Sequence, residues 1–202
     1  MGPTPVVRRT AAEVRAELGI GPDDPLVVLV GRLHPQKDVA TLVEAATRLD
    51  PAVQVVVVGE GPQRGELEQL VRRHGLEARV HLVGERADAT DHQAAADVVV
   101  MCSVWEGFGL VVAEALALAR PVVATAVGPV PEMVIDGETG RLVPPSDPEA
   151  LAGAIADLLA DPVRAAGLGR AGAKLVAPHF DTDAPVRQVE EVYELVTEEP
   201  DR

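Results

Sequence analysis

The stretch Glu106-Gly107-Phe108-Gly109-Leu110-Val111-Val112-Ala113-Glu114 sets two carboxylates around a pair of glycines, with seven residues between them. It follows the apolar run Val98-Val99-Val100-Met101 and leads into Ala113-Glu114-Ala115-Leu116-Ala117-Leu118, so the glycines fall at a strand-to-helix turn. Such a turn suits an anion. Glycine lets a ligand approach the backbone without Cβ obstruction, and the first amides of the new helix, those of Phe108, Gly109 and Leu110, point free N–H groups outward. Glu106 lies at the mouth of this site and Glu114 on the second turn of the helix behind it, both able to accept hydrogen bonds from sugar hydroxyls. Taken singly, Glu106 reads as a loop carboxylate beside a helix dipole and Glu114 as a solvated helix residue. The neighbours of Glu114 (Val111, Val112, Ala113, Ala115, Leu116) are too apolar for an ordinary solvent face. A carboxylate there calls for a specific partner.

The elements that hold these residues alternate. Thr10-Ala11-Ala12-Glu13 has the form of a capping box, and the helix it opens ends near Gly19. Leu26–Val30, Val53–Val58, Arg79–Val83, the run at Val98 and Pro121–Ala124 are apolar runs expected of parallel strands buried on both faces, with Arg141–Val143 a short sixth. Between them fall helices: from Asp38, read as an N-cap, to Leu49; from Pro62, read as a first-turn proline, to Gly75; a short one of uncertain extent before Val98; the one after Gly109; and a short one over Pro131–Ile135 stopped at Gly137. Asp147 caps and Pro148 opens a helix with Leu151, Ile155, Leu158 and Leu159 on one face, and two more helices follow, near Val163–Val176 and Ala184–Thr197. This order predicts a doubly wound, Rossmann-like α/β sheet of about six mostly parallel strands with helices on both faces. The expected organisation is one domain over residues 1–202: an amino-terminal helix and turn at 1–21, an α/β core at 22–146 and carboxy-terminal helices at 147–202.

Composition narrows the ligand. A net charge of −14 argues against nucleic acid or an anionic membrane as partner, so any bound anion must be captured by local cations. Lysine occurs only at Lys37 and Lys174, which makes Lys37, in a loop after a strand, informative. The four aromatic residues are Trp105, Phe108, Phe180 and Tyr193, too few for a base-stacking platform. No apolar run approaches the roughly 18 residues of a membrane span, and Met1-Gly2-Pro3-Thr4-Pro5 has no signal-peptide core, so a cytoplasmic protein is expected. The lone Cys102 reads as a small buried residue, and the five histidines show no metal-ligand spacing. Ser103 has no nucleophile-elbow setting, which disfavours a hydrolase triad.

Arg32, Gly59, Gly84 and Glu106 each follow directly on a strand, so their loops converge on one sheet edge. Arg32 offers a planar fork for phosphate and Lys37 a flexible point charge on the same Gly31–Lys37 loop. An arginine and a lysine five apart in a loop are, by themselves, more often merely solvated. Gly59-Glu60-Gly61 resembles the start of a dinucleotide fingerprint, but Gly65 comes one residue late and no acidic strand end follows about 20 residues on, so a nicotinamide domain is a weak rival.

The Glu106 to Glu114 pattern, with Gly107-Phe108-Gly109-Leu110 after the first glutamate, resembles the signature of the group 1 (family 4) glycosyltransferases, enzymes of two-domain GT-B architecture. Over nearly the whole chain the sequence is similar to their carboxy-terminal, nucleotide-sugar-binding half. The resemblance implies a donor site for a nucleotide diphosphate sugar such as a UDP or GDP sugar. In it Gly31, Arg32 and Lys37 meet the diphosphate, Gly59 approaches the nucleotide, and Val83 and Arg86 lie near the base. Gly107 and the amides of Phe108, Gly109 and Leu110 hold phosphate and sugar oxygens. Glu114 holds the ribose and Glu106, the catalytic candidate, stands beside the transferred sugar. It also implies transfer with retention of anomeric configuration, no cofactor and no metal, because Arg32, Lys37 and the helix terminus provide the positive charge.

Three positions depart from the family pattern. Asp38 stands where glycine is frequent, Ala119-Arg120-Pro121 replaces Gly-hydrophobic-Pro, and Gly128-Pro129 replaces a Gly-Gly, which removes one amide donor near the sugar. Family members carry an amino-terminal acceptor domain with a catalytic-region histidine, and no counterpart stands in these 202 residues; the partner expected is that domain or a separate chain supplying it. Val189, Val192, Tyr193 and Val196 on the last expected helix would pack on such a surface or on the chain's own sheet. The expected function is therefore donor binding for a retaining glycosyltransferase, with an isolated chain that transfers little. The alternative is a catalytically idle nucleotide-binding or assembly module that completes a partner subunit.

Overall fold

A computed structural model describes residues 5–180. The helix expected over Ala184–Thr197 lies outside the described residues. Within them the order is α1 (Ala11–Glu17), β1 (Leu26–Val30), α2 (Val39–Ala46), β2 (Gln54–Val58), α3 (Arg64–Arg73), β3 (Val80–Gly84), α4 (Ala89–Ala95), β4 (Val98–Met101), α5 (Leu110–Ala117), β5 (Val122–Thr125), α6 (Val130–Met133), β6 (Arg141–Val143), α7 (Pro148–Ala160) and α8 (Pro162–Phe180). One turn of 3-10 helix, Pro35–Lys37, separates β1 from α2. The six strands form one sheet in the order β3-β2-β1-β4-β5-β6, with every ladder parallel.

The apolar runs divide by alternation. Val27, Leu29, Val55, Val57, Val98, Val100 and Val123 pack with α2, α3 and α7, whereas Leu26, Val28, Val56, Val58, Val99, Met101, Val122 and Ala124 pack with α1, α5 and α6. Both faces of the central strands β1 and β4 are covered, so their residues are apolar throughout, whereas the edge strands β3 and β6 admit His81 and Arg141. The Thr10–Glu13 capping box is present, and the Asp147 side chain accepts from the Ala150 amide at 2.9 Å at the start of α7. Helix α8 lies close on α5 because Gly169 and Gly172 leave no side chain between them: a Cβ on Gly169 would overlap the Ala119 carbonyl, and one on Gly172 the Leu116 side chain.

Four expectations are corrected. Asp38 does cap α2 in position, but it is left-handed, at φ 45°, ψ 44°, and its carboxylate takes no helix amide. That conformation explains why glycine suits the position. The carboxylate instead accepts from the hydroxyls of Thr41 and Ser146, each at 2.8 Å. Helix α2 closes at Ala46 rather than Leu49, Pro62 stands in the turn before α3 rather than at its first position, and α6 starts at Val130 and ends at Met133.

Candidate donor site at the sheet edge

The strand order reverses between β1 and β4, and the loops leaving their carboxyl ends form the site, as expected at the switch point of a doubly wound sheet. These loops are fastened to each other. The Val104 amide donates to the Gln36 carbonyl at 2.9 Å, the Gln36 side-chain amide to the Trp105 carbonyl at 3.1 Å, and the Cys102 thiol to the carbonyls of Lys37 and Asp38, each at 3.2 Å. Cys102 is thus a buried tie between loops, and burial pushes its thiol well above the usual range.

The fastening brings Lys37 against Glu106. The Lys37 ammonium donates to Glu106 Oε1, and the Ser103 hydroxyl donates to the same oxygen at 2.7 Å. The Glu106 side chain is 8% exposed and that of Lys37 20%, so the pair sits in partly desolvated surroundings where charge-assisted hydrogen bonds are strong. Gly31, Arg32, Lys37, Glu106, Phe108, Gly109 and Leu110 line one cavity of about 330 Å³, with Met101 and Val111. The Arg32 side chain reaches this cavity and, among the described residues, has no carboxylate partner.

Gly109 makes the turn into α5 at φ 79°, and α5 has no side-chain cap, so its first amides remain available to a ligand. A Cβ on Gly109 would press on Met133 and Val130, whereas Gly107 faces open space. Glu114 is half-buried on α5 and, among the described residues, meets no donor; burial raises its carboxyl above the ordinary range. The specific partner its apolar setting calls for is therefore not another side chain of the described fold. Gly128 lies against the backbone carbonyl of Glu106, which places the Gly128-Pro129 loop beside the site.

Five expected contacts do not line the cavity: Gly107 and Glu114, which stand on the loop into α5 and on α5 itself, and Gly59, Val83 and Arg86. Gly59, at φ 146°, serves the packing of loops: a Cβ there would overlap the carbonyl of Gly31, and one on Gly61 the backbone of Leu33. Val83 packs into the core beside α1 and α5. The Arg86 guanidinium is held by both oxygens of Asp88, at 2.9 and 3.0 Å, and by Glu17 at 2.8 Å, and Arg9 completes the cluster. These pairings hold Asp88 well below the usual carboxylate range, Arg86 acting first. The guanidinium thus ties α1 to the loop after β3.

Sequence reasoning missed Ser103, which has no exposed surface, and Thr125, whose hydroxyl donates to the Ser103 carbonyl at 2.6 Å. Their only sequence signal is the placement of a serine three residues before Glu106. A second hollow, about 290 Å³, opens at the opposite edge between Pro25, Asp97, Arg120, Pro121 and Pro162. It lies at the amino ends of the strands, away from the edge where such sheets bind ligands.

This chain belongs to the group 1 glycosyltransferases: the family model "Glycosyl transferases group 1" matches residues 10–175. The fold is that of GT-B enzymes. Among curated relatives, a D-inositol 3-phosphate glycosyltransferase of Xylanimonas cellulosilytica is 39% identical over 201 residues, covering 96% of this chain and 48% of its own length. Among solved structures, Anabaena Alr3699/HepE in complex with UDP-glucose superposes with a TM-score of 0.83 at 31% identity, covering 91% of this chain and 52% of that one. The C-terminal domain of a group 1 family glycosyl transferase (LpcC) from Francisella tularensis superposes with a TM-score of 0.77 at 28% identity, covering 89% of this chain and 97% of that domain. The chain spans about half the length of the curated relatives it matches. Among the described residues no helix is long and apolar enough to cross a membrane.

Proposed function

We infer that this chain is the donor-binding, carboxy-terminal half of a retaining glycosyltransferase and that it holds a nucleotide diphosphate sugar in the cavity between β1 and β4. The observation that carries this reading is the convergence of Arg32, Lys37, Glu106 and the α5 amino terminus on one cavity, with Glu114 half-buried one turn along α5. The cations and amides suit a diphosphate, the carboxylates suit hydroxyls, and a ligand carrying both groups satisfies all of them. The UDP-glucose complex of the Anabaena protein and the match to an isolated carboxy-terminal domain support the same reading.

In the reaction, the bond from the anomeric carbon to the diphosphate oxygen breaks and negative charge grows on the leaving diphosphate. Arg32, Lys37 and the α5 amides are placed to stabilise that charge, which leaves no step needing a metal. Glu106 faces the transferred sugar and Glu114 takes the ribose hydroxyls. The acceptor binds on an amino-terminal domain or partner chain, so this half alone transfers little. Nothing in the chain's only cysteine, which is buried, requires an oxidising compartment, in keeping with a cytoplasmic enzyme.

Calorimetric titration with UDP, GDP and ADP and their sugars tests this. One base is expected to bind, with affinity falling about tenfold or more in Lys37→Ala and in Glu114→Ala, since each removes a hydrogen bond involving a charged group. A folded chain that binds no nucleotide, or variants that bind as well as the parent, would leave an assembly module as the better account.

A further inference from the structure

We propose that Ser103 is a positioning residue for sugar recognition: together with Lys37 it occupies one oxygen of Glu106 and so turns the other oxygen toward the donor sugar. The proposal rests on the reading of Glu106 as the sugar-facing carboxylate. Both donors converge on Oε1, the Lys37 ammonium from the loop after β1 and the Ser103 hydroxyl, at 2.7 Å, from the end of β4. Two donors on one oxygen fix the rotation of a carboxylate and leave the lone pairs of Oε2 to accept from a ligand. Ser103 is itself fixed, since it has no exposed surface and its carbonyl accepts from the buried Thr125 hydroxyl at 2.6 Å, at the end of β5. The chain Thr125, Ser103, Glu106 therefore carries the rigidity of two sheet strands to the carboxylate. Lys37 alone would not serve. A diphosphate competes for its ammonium, and Ser103 is the donor that stays on Glu106 while Lys37 turns toward phosphate.

The role is a specific one, because Ser103 touches no ligand and acts only through Glu106. Its removal is expected to cost sugar recognition and leave nucleotide recognition intact. The test compares affinities of the full chain for UDP and for UDP-glucose in the parent, Ser103→Ala, Glu106→Gln and the double variant, with melting curves to confirm folding. In the parent UDP-glucose is expected to bind more tightly than UDP. Ser103→Ala is expected to reduce that advantage about tenfold or more, the size of one hydrogen bond to a charged group, with UDP affinity unchanged. In the double variant the loss is expected to equal that of Glu106→Gln alone, because both changes break one chain.

A Ser103→Ala variant that keeps the sugar advantage while Glu106→Gln loses it overturns the proposal, as does a loss that adds fully to that of Glu106→Gln. A parent chain with no sugar advantage, or Glu106→Gln with the advantage intact, overturns instead the placing of Glu106 beside the sugar. A crystal structure of Ser103→Ala with UDP bound, in which the diphosphate draws Lys37 away, gives a readout independent of affinity. The Glu106 carboxylate is expected to rotate from its present position, and a carboxylate that stays in place contradicts the proposal.

Discussion

At Glu114 burial opposes ionisation, and among the described residues no donor offsets it. A carboxyl raised in the folded state adds stability while protonated and loses that contribution as pH rises through its folded value. Glu114→Gln is therefore expected to stabilise the unliganded chain at neutral pH by about 0.5 kcal/mol, a figure discounted for partial exposure, and to weaken nucleotide binding. Below the ordinary glutamate value of about 4.3 the two proteins should melt alike, because Glu114 is then neutral in both states. Melting curves across pH check this, and a variant less stable at neutral pH would contradict it. Arg86 makes the opposite case. Its partners Glu17 and Asp88 make Arg86→Ala a loss of at most about 1 kcal/mol, the range for partly exposed pairs, with nucleotide affinity unchanged. Urea unfolding and titration of one preparation separate those effects. Glu106 and Lys37 were legible in the sequence as chemistry, but their pairing was not, since 69 positions separate them and only the meeting of two strands brings them together. Ser103 was illegible for the same reason: a hydroxyl acquires meaning from the carboxylate it touches, and a serine before a turn is common.

The loops after β1 and β2 meet backbone to backbone, and side chains tie the loop after β4 to them. The Gly31 amide donates to the Val58 carbonyl at 2.9 Å, Leu33 donates to Glu60 at 2.9 Å, and Gly59 stands where any Cβ would enter the Gly31 carbonyl. Gly59→Ala is expected to cost about 3 kcal/mol or more through overpacking and strain, and to weaken donor binding by displacing the Gly31–Lys37 loop. Unfolding that is unaffected, measured by urea titration, would show that the loop yields freely. Elements themselves were the most legible level. The strands were visible because parallel strands covered on both faces read as unbroken apolar runs, and α7 because Asp147 and Pro148 announce it. The glycines of Gly59-Glu60-Gly61 were visible as well, but which surface they approach depends on a neighbouring loop that local spacing cannot describe. Asp38 failed as a side-chain cap for a related reason. Its left-handed backbone points the carboxylate to the hydroxyls of Thr41 and Ser146, the latter from the loop before α7, rather than to the free amides of the helix it precedes.

On the scale of the molecule, Arg32, Lys37, Glu106 and the start of α5 stand together at the carboxyl edge of the sheet, where the order β3-β2-β1-β4-β5-β6 reverses. The opposite edge offers a hollow of similar size, lined by Arg120 as a cation and by Asp23 and Asp97 as carboxylates, but the start of α8 beside it is already capped by the Asp161 side chain. Local positive charge at one edge of an acidic chain is what selects an anionic ligand there. In the function proposed above, the donor diphosphate lies between Arg32, Lys37 and the start of α5. A crystal structure of this chain with the nucleotide diphosphate sugar that titration selects tests it most directly. Phosphate oxygens are expected on the Arg32 and Lys37 side chains and the α5 amides, ribose hydroxyls on Glu114 and the sugar beside Glu106. A nucleotide bound in the Arg120 hollow, or at the carboxyl edge without contact to Lys37 and Glu114, would contradict it.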